Sequence, residues 1–179
     1  SGLPGSGSTS RLAIAVTPAD PNYVYVLASR NSNNGFMGLY LSTNSGNSFS
    51  IQASSPNLLG WDPSGNDNDG QGWYTLSIDA SPTNRDEIIV GGVNIWRSTD
   101  AGISWTLNAH WYGGGGAPYV HADIHDLRYV NGTSYYVASD GGLAFTSNSG
   151  GSFTDLSAGL QIGQMYRLGT AATTPNLTI

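Results

Sequence analysis

The 179-residue chain has no cysteine, and charged residues make up only 10% of it, against about 25% in an average soluble protein. The absence of cysteine excludes disulfides, a thiol nucleophile and a cysteine-based zinc site. Lysine is also absent, so the basic residues are six arginines, and the net charge is −6. Because the arginines are scattered rather than clustered, this pattern argues against nucleic acid and against an anionic membrane surface as partners.

Long apolar runs are missing as well. No stretch approaches the roughly 20 apolar residues of a membrane-spanning helix, so no membrane insertion is predicted. Short segments rich in β-branched and aromatic residues alternate instead with turns rich in Gly, Ser and Asn, and no segment shows the period of an amphipathic helix. The predicted fold class is therefore all-β.

One eight-residue pattern occurs three times, at 42–49, 98–105 and 146–153. It reads hydroxyl, any residue, Asp or Asn, any, Gly, any, Ser, aromatic, which is the Asp-box pattern. The Asp or Asn side chain can bond backbone N–H groups further along the turn, the Gly supplies a positive φ, and the ring folds under the turn. The residues expected to have this structural role are Ser42, Asn44, Gly46, Phe49, Ser98, Asp100, Gly102, Trp105, Thr146, Asn148, Gly150 and Phe153.

The spacing of the boxes indicates a repeat architecture, because a period of roughly 50 residues suits four-stranded propeller blades. We predict a β-propeller fragment with about three four-stranded blades at 11–54, 72–111 and 120–158, and the start of a fourth blade at 162–179. Each box is expected to hold the hairpin between the last two strands of its blade. Since a propeller needs about four to eight blades to close, the remaining blades are expected to come from a longer protein or from association of chains.

The segment 120–127 is the most unusual run for chemistry. If it forms a strand, His121, Asp123 and His125 project from the same face and could bind a ligand. Two imidazoles and a carboxylate are also acceptable metal ligands. However, positions i and i+4 of a strand lie about 13 Å apart, and no metal is predicted. The alternative is that these side chains line the central channel and hydrogen-bond to one another.

Three carboxylates are candidates for acid–base catalysis: Asp123, Asp126 and Asp140. An inverting glycosidase needs two carboxyl groups about 6.5–9.5 Å apart on either side of the bond that it cleaves. The sequence does not give this distance. Asp140 follows a predicted strand and begins an Asp-Gly-Gly sequence, so its alternative role is to cap a turn.

Aromatic residues are concentrated in the loops between each box and the next blade. Trp61, Trp73, Trp111 and Tyr112 fall in these connections. Such connections gather on one face of a propeller, where exposed rings would stack on sugars. The alternative is that the rings pack between the blades. We therefore predict these four residues as ligand-binding candidates.

An acidic loop spans 62–70 and includes Asp67 and Asp69. It carries enough oxygen ligands for calcium, but Gly65 interrupts the ligand spacing of an EF-hand. A solvated loop is the alternative interpretation. Calcium near Asp67 and Asp69 is thus a secondary hypothesis, and no other cofactor is predicted.

These motifs resemble those of a known group of proteins. The boxes, together with the segments 121–125, 139–142 and 159–167, are similar to BNR/Asp-box propellers of the sortilin-like and xyloglucanase-like type. Large secreted bacterial proteins that use the type IX secretion route show the same succession of motifs. The resemblance implies a secreted or cell-surface location. It also implies, as partners, further blades of the same protein and the outer-membrane secretion machinery.

The resemblance leaves the function open, because Asp-boxes occur in hydrolases, receptors and structural modules alike. The favoured hypothesis is a non-catalytic binding or scaffold segment, with glycan as the ligand class. The alternative is part of a glycoside hydrolase, of the xyloglucanase type rather than a sialidase. The sialidase signature is matched only in part at 166–169, since Gly169 stands where that signature has proline.

Overall fold

Twelve β-strands form three separate antiparallel sheets in this computed structural model, which describes residues 2–160. The first sheet contains β1 (Thr9–Val16), β2 (Val24–Arg30), β3 (Phe36–Ser42) and β4 (Ser50–Ala53); the second contains β5 (Ser77–Ala80), β6 (Ile88–Gly91), β7 (Ile95–Ser98) and β8 (Thr106–Ala109); the third contains β9 (Ile124–Tyr129), β10 (Tyr135–Ser139), β11 (Gly142–Thr146) and β12 (Thr154–Asp155). The predicted start of a fourth blade at 162–179 lies outside the described residues.

Each sheet has the topology of a propeller blade. Its four strands follow one another in sequence order and pair only with their neighbours. The first strands of consecutive sheets, β1, β5 and β9, lie next to one another, so the sheets are arranged around a common centre. This architecture confirms the predicted all-β, blade-like fold. No helix within residues 2–160 is long and apolar enough to cross a membrane.

The hydrophobic core lies between the sheets. Side chains alternate along β2, so that Tyr25 and Leu27 face the second sheet and are fully buried there against Ile88 and Val90 of β6. The opposite face of the second sheet, including Ile89, packs in the same way against the third sheet. Burial of each such aliphatic side chain contributes about 1.5–3 kcal/mol, so contact between sheets stabilises the fold.

The other face of the first sheet is apolar and only partly buried. Val26, Ala28 and Tyr40 form a small cluster there, and on the same face Ile14 is 66% and Val16 62% exposed. Within residues 2–160 no sheet covers this surface, which we call the open face of the first sheet. It has the composition of a face that packs against another sheet.

The repeated turns share one hydrogen-bond network. In the first turn, the Asn44 Oδ1 atom accepts bonds from the Ser42 hydroxyl at 2.9 Å and the Ser48 backbone N–H at 3.0 Å, while the Gly46 N–H donates to the Ser42 oxygen at 2.9 Å. The turns at 98–105 and 146–153 repeat these bonds. The hydroxyl and the Asp or Asn therefore satisfy backbone donors inside the hairpin.

Two consecutive residues of each turn have positive φ, and the sequence pattern indicated only the second of them. Gly46, Gly102 and Gly150 have φ values of 83°, 89° and 85°, and the preceding Ser45, Ala101 and Ser149 have 58°, 61° and 57°. The N–H groups of Ser45, Ala101 and Ser149 donate to the carbonyl oxygens of Asn22, Asp86 and Thr133, respectively. In each sheet this acceptor lies in the turn between the first two strands. The strained residue thus joins the two turns of each blade.

The second and third repeated turns also pack against the preceding sheet. A Cβ atom added to Gly102 would lie 2.1 Å from Leu39 Cδ2 of the first sheet, and one added to Gly150 would lie 2.3 Å from the Asn108 side chain of the second sheet. Gly46 has only Phe49 of its own turn within 4 Å. Glycine is therefore required for close approach between sheets as well as for its φ.

The contrast between these glycines gives the first prediction. We expect Gly46→Val to destabilise the full-length protein by about 1–2 kcal/mol, because a β-branched residue resists positive φ. Gly102→Val has the same backbone problem and also collides with Leu39, so we expect a further loss of about 1–3 kcal/mol. Urea unfolding of both variants measures the difference. Equal losses would contradict the packing role of Gly102.

A second prediction concerns Asp100, which occupies the position that is Asn in the other two turns. The bond from the Ser104 hydroxyl is the main reason that the pKa of Asp100 is lowered. Asp100→Ala removes the acceptor and should cost about 1 kcal/mol. Asp100→Asn keeps the Oδ1 acceptor and should cost clearly less in the same unfolding measurement.

The pH dependence of the Asp100 effect has a defined sign. Because the carboxyl pKa is lower in the folded state, the ionised group contributes stability above its unfolded pKa of about 3.9. This contribution is lost as the pH falls through the folded value. The stability difference between the wild type and Asp100→Asn should therefore shift against the wild type below about pH 4. A constant difference between pH 7 and pH 3 would contradict this account.

Candidate functional site

The two ends of the blades differ in what they carry. The repeated turns gather at one end, which we call the box face. The opposite end, the connection face, carries the inter-sheet connections 54–76 and 110–123 together with the hairpins β2–β3, β6–β7 and β10–β11. Backbone bonds tie these loops together, for example from the Ile124 N–H to the Gly92 carbonyl at 2.8 Å and from the Gly72 N–H to the Asn34 carbonyl at 2.9 Å.

Exposed aromatic rings are concentrated on the connection face. Trp61, Trp73, Trp111 and Tyr112 are 39%, 61%, 40% and 59% exposed, and Tyr119 in the second connection is 59% exposed. Among the described residues the remaining exposed ring, Tyr136, lies on β10. The structure therefore places the four predicted aromatic residues at one end of the blades, with their rings partly in solvent rather than between the sheets.

A hydrogen-bonded cluster of three residues, the rim cluster, joins the first connection to the third sheet. The His125 Nε2 atom lies 2.7 Å from Asp140 Oδ1, and the Tyr74 hydroxyl lies 3.2 and 3.1 Å from the two Asp140 oxygens. The Tyr74 and His125 rings meet edge to face at 4.9 Å between centroids. Asp140 is thus positioned by two partners and its side chain remains 39% exposed.

The rim cluster contains a residue that the sequence did not single out by itself. Tyr74 follows Trp73 in the chain, and the two rings lie 5.4 Å apart. The Arg11 guanidinium of β1 donates to the Tyr74 carbonyl at 2.7 Å, so Tyr74 links the first sheet to the third. No sequence signal marks that role, because Arg11, Tyr74 and Asp140 are far apart along the chain.

The prediction that His121, Asp123 and His125 share one face of a strand is wrong. Strand β9 begins only at Ile124. Asp123 has a φ of 65°, which is not a strand conformation, so the strand does not extend back to His121. Asp123 instead accepts a bond from the Gln71 side chain at 3.0 Å. The backbone N–H of Asp140 donates to the Asp123 carbonyl at 3.2 Å, so both carboxylates belong to the same part of the rim.

His121 lies outside the strand, over the β10–β11 turn. A Cβ atom on Gly141 would come within 2.3 Å of the His121 ring, so only glycine allows this approach. Tyr119, His121 and Asp155 line a cleft of about 140 Å³ beside the outer strands of the third sheet. Among residues 2–160, no three His, Asp or Glu side chains are close enough together to hold a metal ion.

Asp126 belongs to a different environment from Asp123 and Asp140. It lines the central channel, a cleft of about 290 Å³ between the first strands of the three sheets, together with Asp79, His125 and Arg128. Burial is the main reason that the pKa of Asp79 is raised. The channel is therefore polar on the side of β5 and β9.

In the acidic loop, the side chain of Asp67 is bound to backbone. Its Oδ2 atom accepts bonds from the N–H groups of Trp61 at 2.5 Å and Asp62 at 3.1 Å. The Asn57 side chain donates to the carbonyl oxygens of Asp67 and Asp69 at 2.9 Å each. These bonds shape the loop that carries Trp61, and calcium at this loop stays a prediction.

The comparisons with known proteins support the fold. No protein-family model and no curated protein matches the chain. A solved structure of the GH74 xyloglucanase from Xanthomonas campestris aligns with 82% of this chain and 23% of its own, with a TM-score of 0.54 and 19% identity. The chain is a β-propeller segment. It spans about a quarter of that enzyme, and the likeness at this identity concerns the fold.

Two further solved structures have lower similarity. YCF48 bound to D1 peptide aligns over 82% of this chain with 13% identity and a TM-score of 0.49, and an ancestral GH74 enzyme aligns over 81% with 18% identity and a TM-score of 0.47. This chain covers 41% and 18% of their respective lengths.

The rim cluster leads to a third prediction. The pKa of Tyr74 is raised, mainly by its hydrogen bond to Asp140. Asp140→Asn removes the negative charge, so the Tyr74 pKa should fall toward its usual value of about 10. Alkaline titration followed by ultraviolet absorbance measures tyrosine ionisation. Subtracting the curve of the matching variant that also carries Tyr74→Phe isolates the contribution of Tyr74. Asp126→Asn is the matched control and should leave the Tyr74 titration unchanged; an unchanged titration in Asp140→Asn would contradict the cluster.

Proposed function

We propose that this propeller segment is a non-catalytic binding module of a secreted or cell-surface bacterial protein, and that its connection face binds glycan. The observation that carries the proposal is the concentration of exposed aromatic rings on one face beside hydrogen-bonding side chains. Sugar rings have apolar faces that stack on indole and phenol rings, and their hydroxyl groups bond to carboxylates, amides and imidazoles.

The rim cluster supplies the polar part of the proposed surface. Trp73 is exposed and its ring lies 5.4 Å from that of Tyr74, which bonds to Asp140. A sugar stacked on the Trp73 ring would therefore have the polar groups of the rim cluster near its edge. The formal charge of −6 favours a neutral glycan over a strongly anionic one. This arrangement of one platform and a few polar groups is typical of binding sites for small polar ligands.

The open face of the first sheet supports the proposal of further blades in the same protein. Phe49 packs on that face, in the position where Trp105 and Phe153 pack against the core between sheets. An additional sheet on the open face would cover Ile14 and Val16 as the second sheet covers Tyr25 and Leu27. Export by the type IX route and contact with its outer-membrane machinery complete the proposal and rest on the motif resemblance.

The fourth prediction tests the glycan-binding surface. In the full-length protein, Trp73→Ala and Trp111→Ala should each weaken binding to a neutral oligosaccharide selected on a glycan array by about 2- to 10-fold, since one aromatic contact is worth about 0.5–1.5 kcal/mol. Isothermal titration calorimetry measures the change. Ile103→Ala, which removes an exposed apolar side chain from the box face, is the control and should bind normally.

A glycoside hydrolase is the second candidate, favoured by Asp123 and Asp140 lying on the same rim. Release of reducing sugar from plant, algal and host glycans separates the two functions. Loss of release in folded Asp123→Asn and Asp140→Asn variants would favour the enzyme. Binding without release from any of these glycans would favour the module, and neither binding nor release would reject both.

A further inference from the structure

The two aromatic loops of the connection face are joined by a buried polar clamp, which consists of His110 and Asn94. His110 is completely buried and Asn94 is 1% exposed. Both side chains bond to the backbone of the residues that carry exposed rings in these loops, Trp61, Trp111 and Tyr112. Buried polar groups that are fully hydrogen-bonded specify one arrangement of their neighbours, because leaving one of them unpaired is costly.

Every ring nitrogen of His110 has a partner in these loops. Its Nδ1 atom accepts bonds from the backbone N–H groups of Tyr112 at 3.3 Å and Gly114 at 3.2 Å. Two donors at Nδ1 require a lone pair there, so the proton of the neutral ring is on Nε2. The Nε2–H group donates to the Trp61 carbonyl at 3.2 Å, which belongs to the other loop.

Asn94 bridges the same loops from the β6–β7 turn. Its Nδ2 atom donates to the carbonyl oxygens of Gly60 and Trp61, at 3.2 Å each. Its Oδ1 atom accepts a bond from the Trp111 N–H at 3.4 Å. The Trp61 carbonyl therefore has two buried donors, and the backbone at Trp111 is fixed to the same side chain.

The His110 ring also contacts the aromatic side chains directly. Its centroid lies 6.0 Å from that of the Trp111 ring, with 30° between the ring planes, and it meets the Tyr112 ring edge to face at 4.2 Å. A Cβ atom on Gly114 would lie 2.6 Å from the Tyr112 ring and 3.1 Å from His110 Nδ1. The glycine-rich run at 113–116 thus permits the loop to wrap closely around the histidine.

We propose that His110 and Asn94 are positioning residues, which hold Trp61, Trp111 and Tyr112 as one preformed binding surface for a glycan chain. This inference rests on the proposed function for its ligand. The clamp removes the need to order two separate loops when ligand binds, and ordering loops and side chains on binding reduces affinity. The rings supply the contact, and the clamp determines where they are.

The test uses His110→Phe in the full-length protein. Phenylalanine keeps an aromatic ring in the cavity but removes all three hydrogen bonds. We expect amide hydrogen exchange at Tyr112 and Gly114 to accelerate at least tenfold, and affinity for cellohexaose or mannohexaose, the neutral probes, to fall at least fivefold. His110→Gln, which retains a donor and an acceptor, should restore part of both. Asn94→Leu is the second variant, and it should loosen the same amides.

The control for general destabilisation is Tyr129→Phe, which removes the buried bond between Tyr129 and Glu87 away from the connection face. It should leave loop exchange and probe affinity unchanged. Unaltered exchange in both His110→Phe and Asn94→Leu would overturn the inference, whether or not the probes bind. If the wild type binds neither probe while exchange accelerates as expected, the clamp stands and the glycan proposal fails.

Discussion

Face-to-face packing of twisted sheets is the constraint on which this structure depends. A four-stranded sheet of this size cannot bury its apolar side chains alone, so Tyr25 and Leu27 need the second sheet and Ile89 needs the third. The repeated turn contributes to this contact, because Gly102 and Gly150 let each turn approach the sheet before it. The same element therefore closes a hairpin and sets the distance between blades.

The two ends of the blades are built differently. The box face is occupied by turns that bond to one another, whereas the connections at the other end carry exposed tryptophans and tyrosines. Their positions depend on buried or half-buried polar groups: Asp140 holds Tyr74, and His110 and Asn94 hold the loops of Trp61 and Trp111. Rigid sheets position these loops, and polar contacts between loops then define the surface.

The fold could be predicted from the sequence because its signals are local and repeated. The spacing of the three turns, their glycines and their following aromatic residues each reflect a requirement of a short chain segment. The prediction for 120–127 was wrong because a local alternation of residues says nothing about where a strand starts. Asp123 leaves the strand conformation, and it accepts its hydrogen bond from Gln71 in a different connection.

The sequence by itself determined an all-β chain, its blade repeat and the loops that carry aromatic residues, since composition and turn chemistry act over a few neighbouring positions. Only the tertiary structure decided that Tyr74, His125 and Asp140 form one cluster, that Asp126 belongs to the channel, and that His110 is buried and bonded to two loops. Those outcomes depend on which sheets and loops meet, and residues from distant parts of the chain become neighbours only when the sheets pack together.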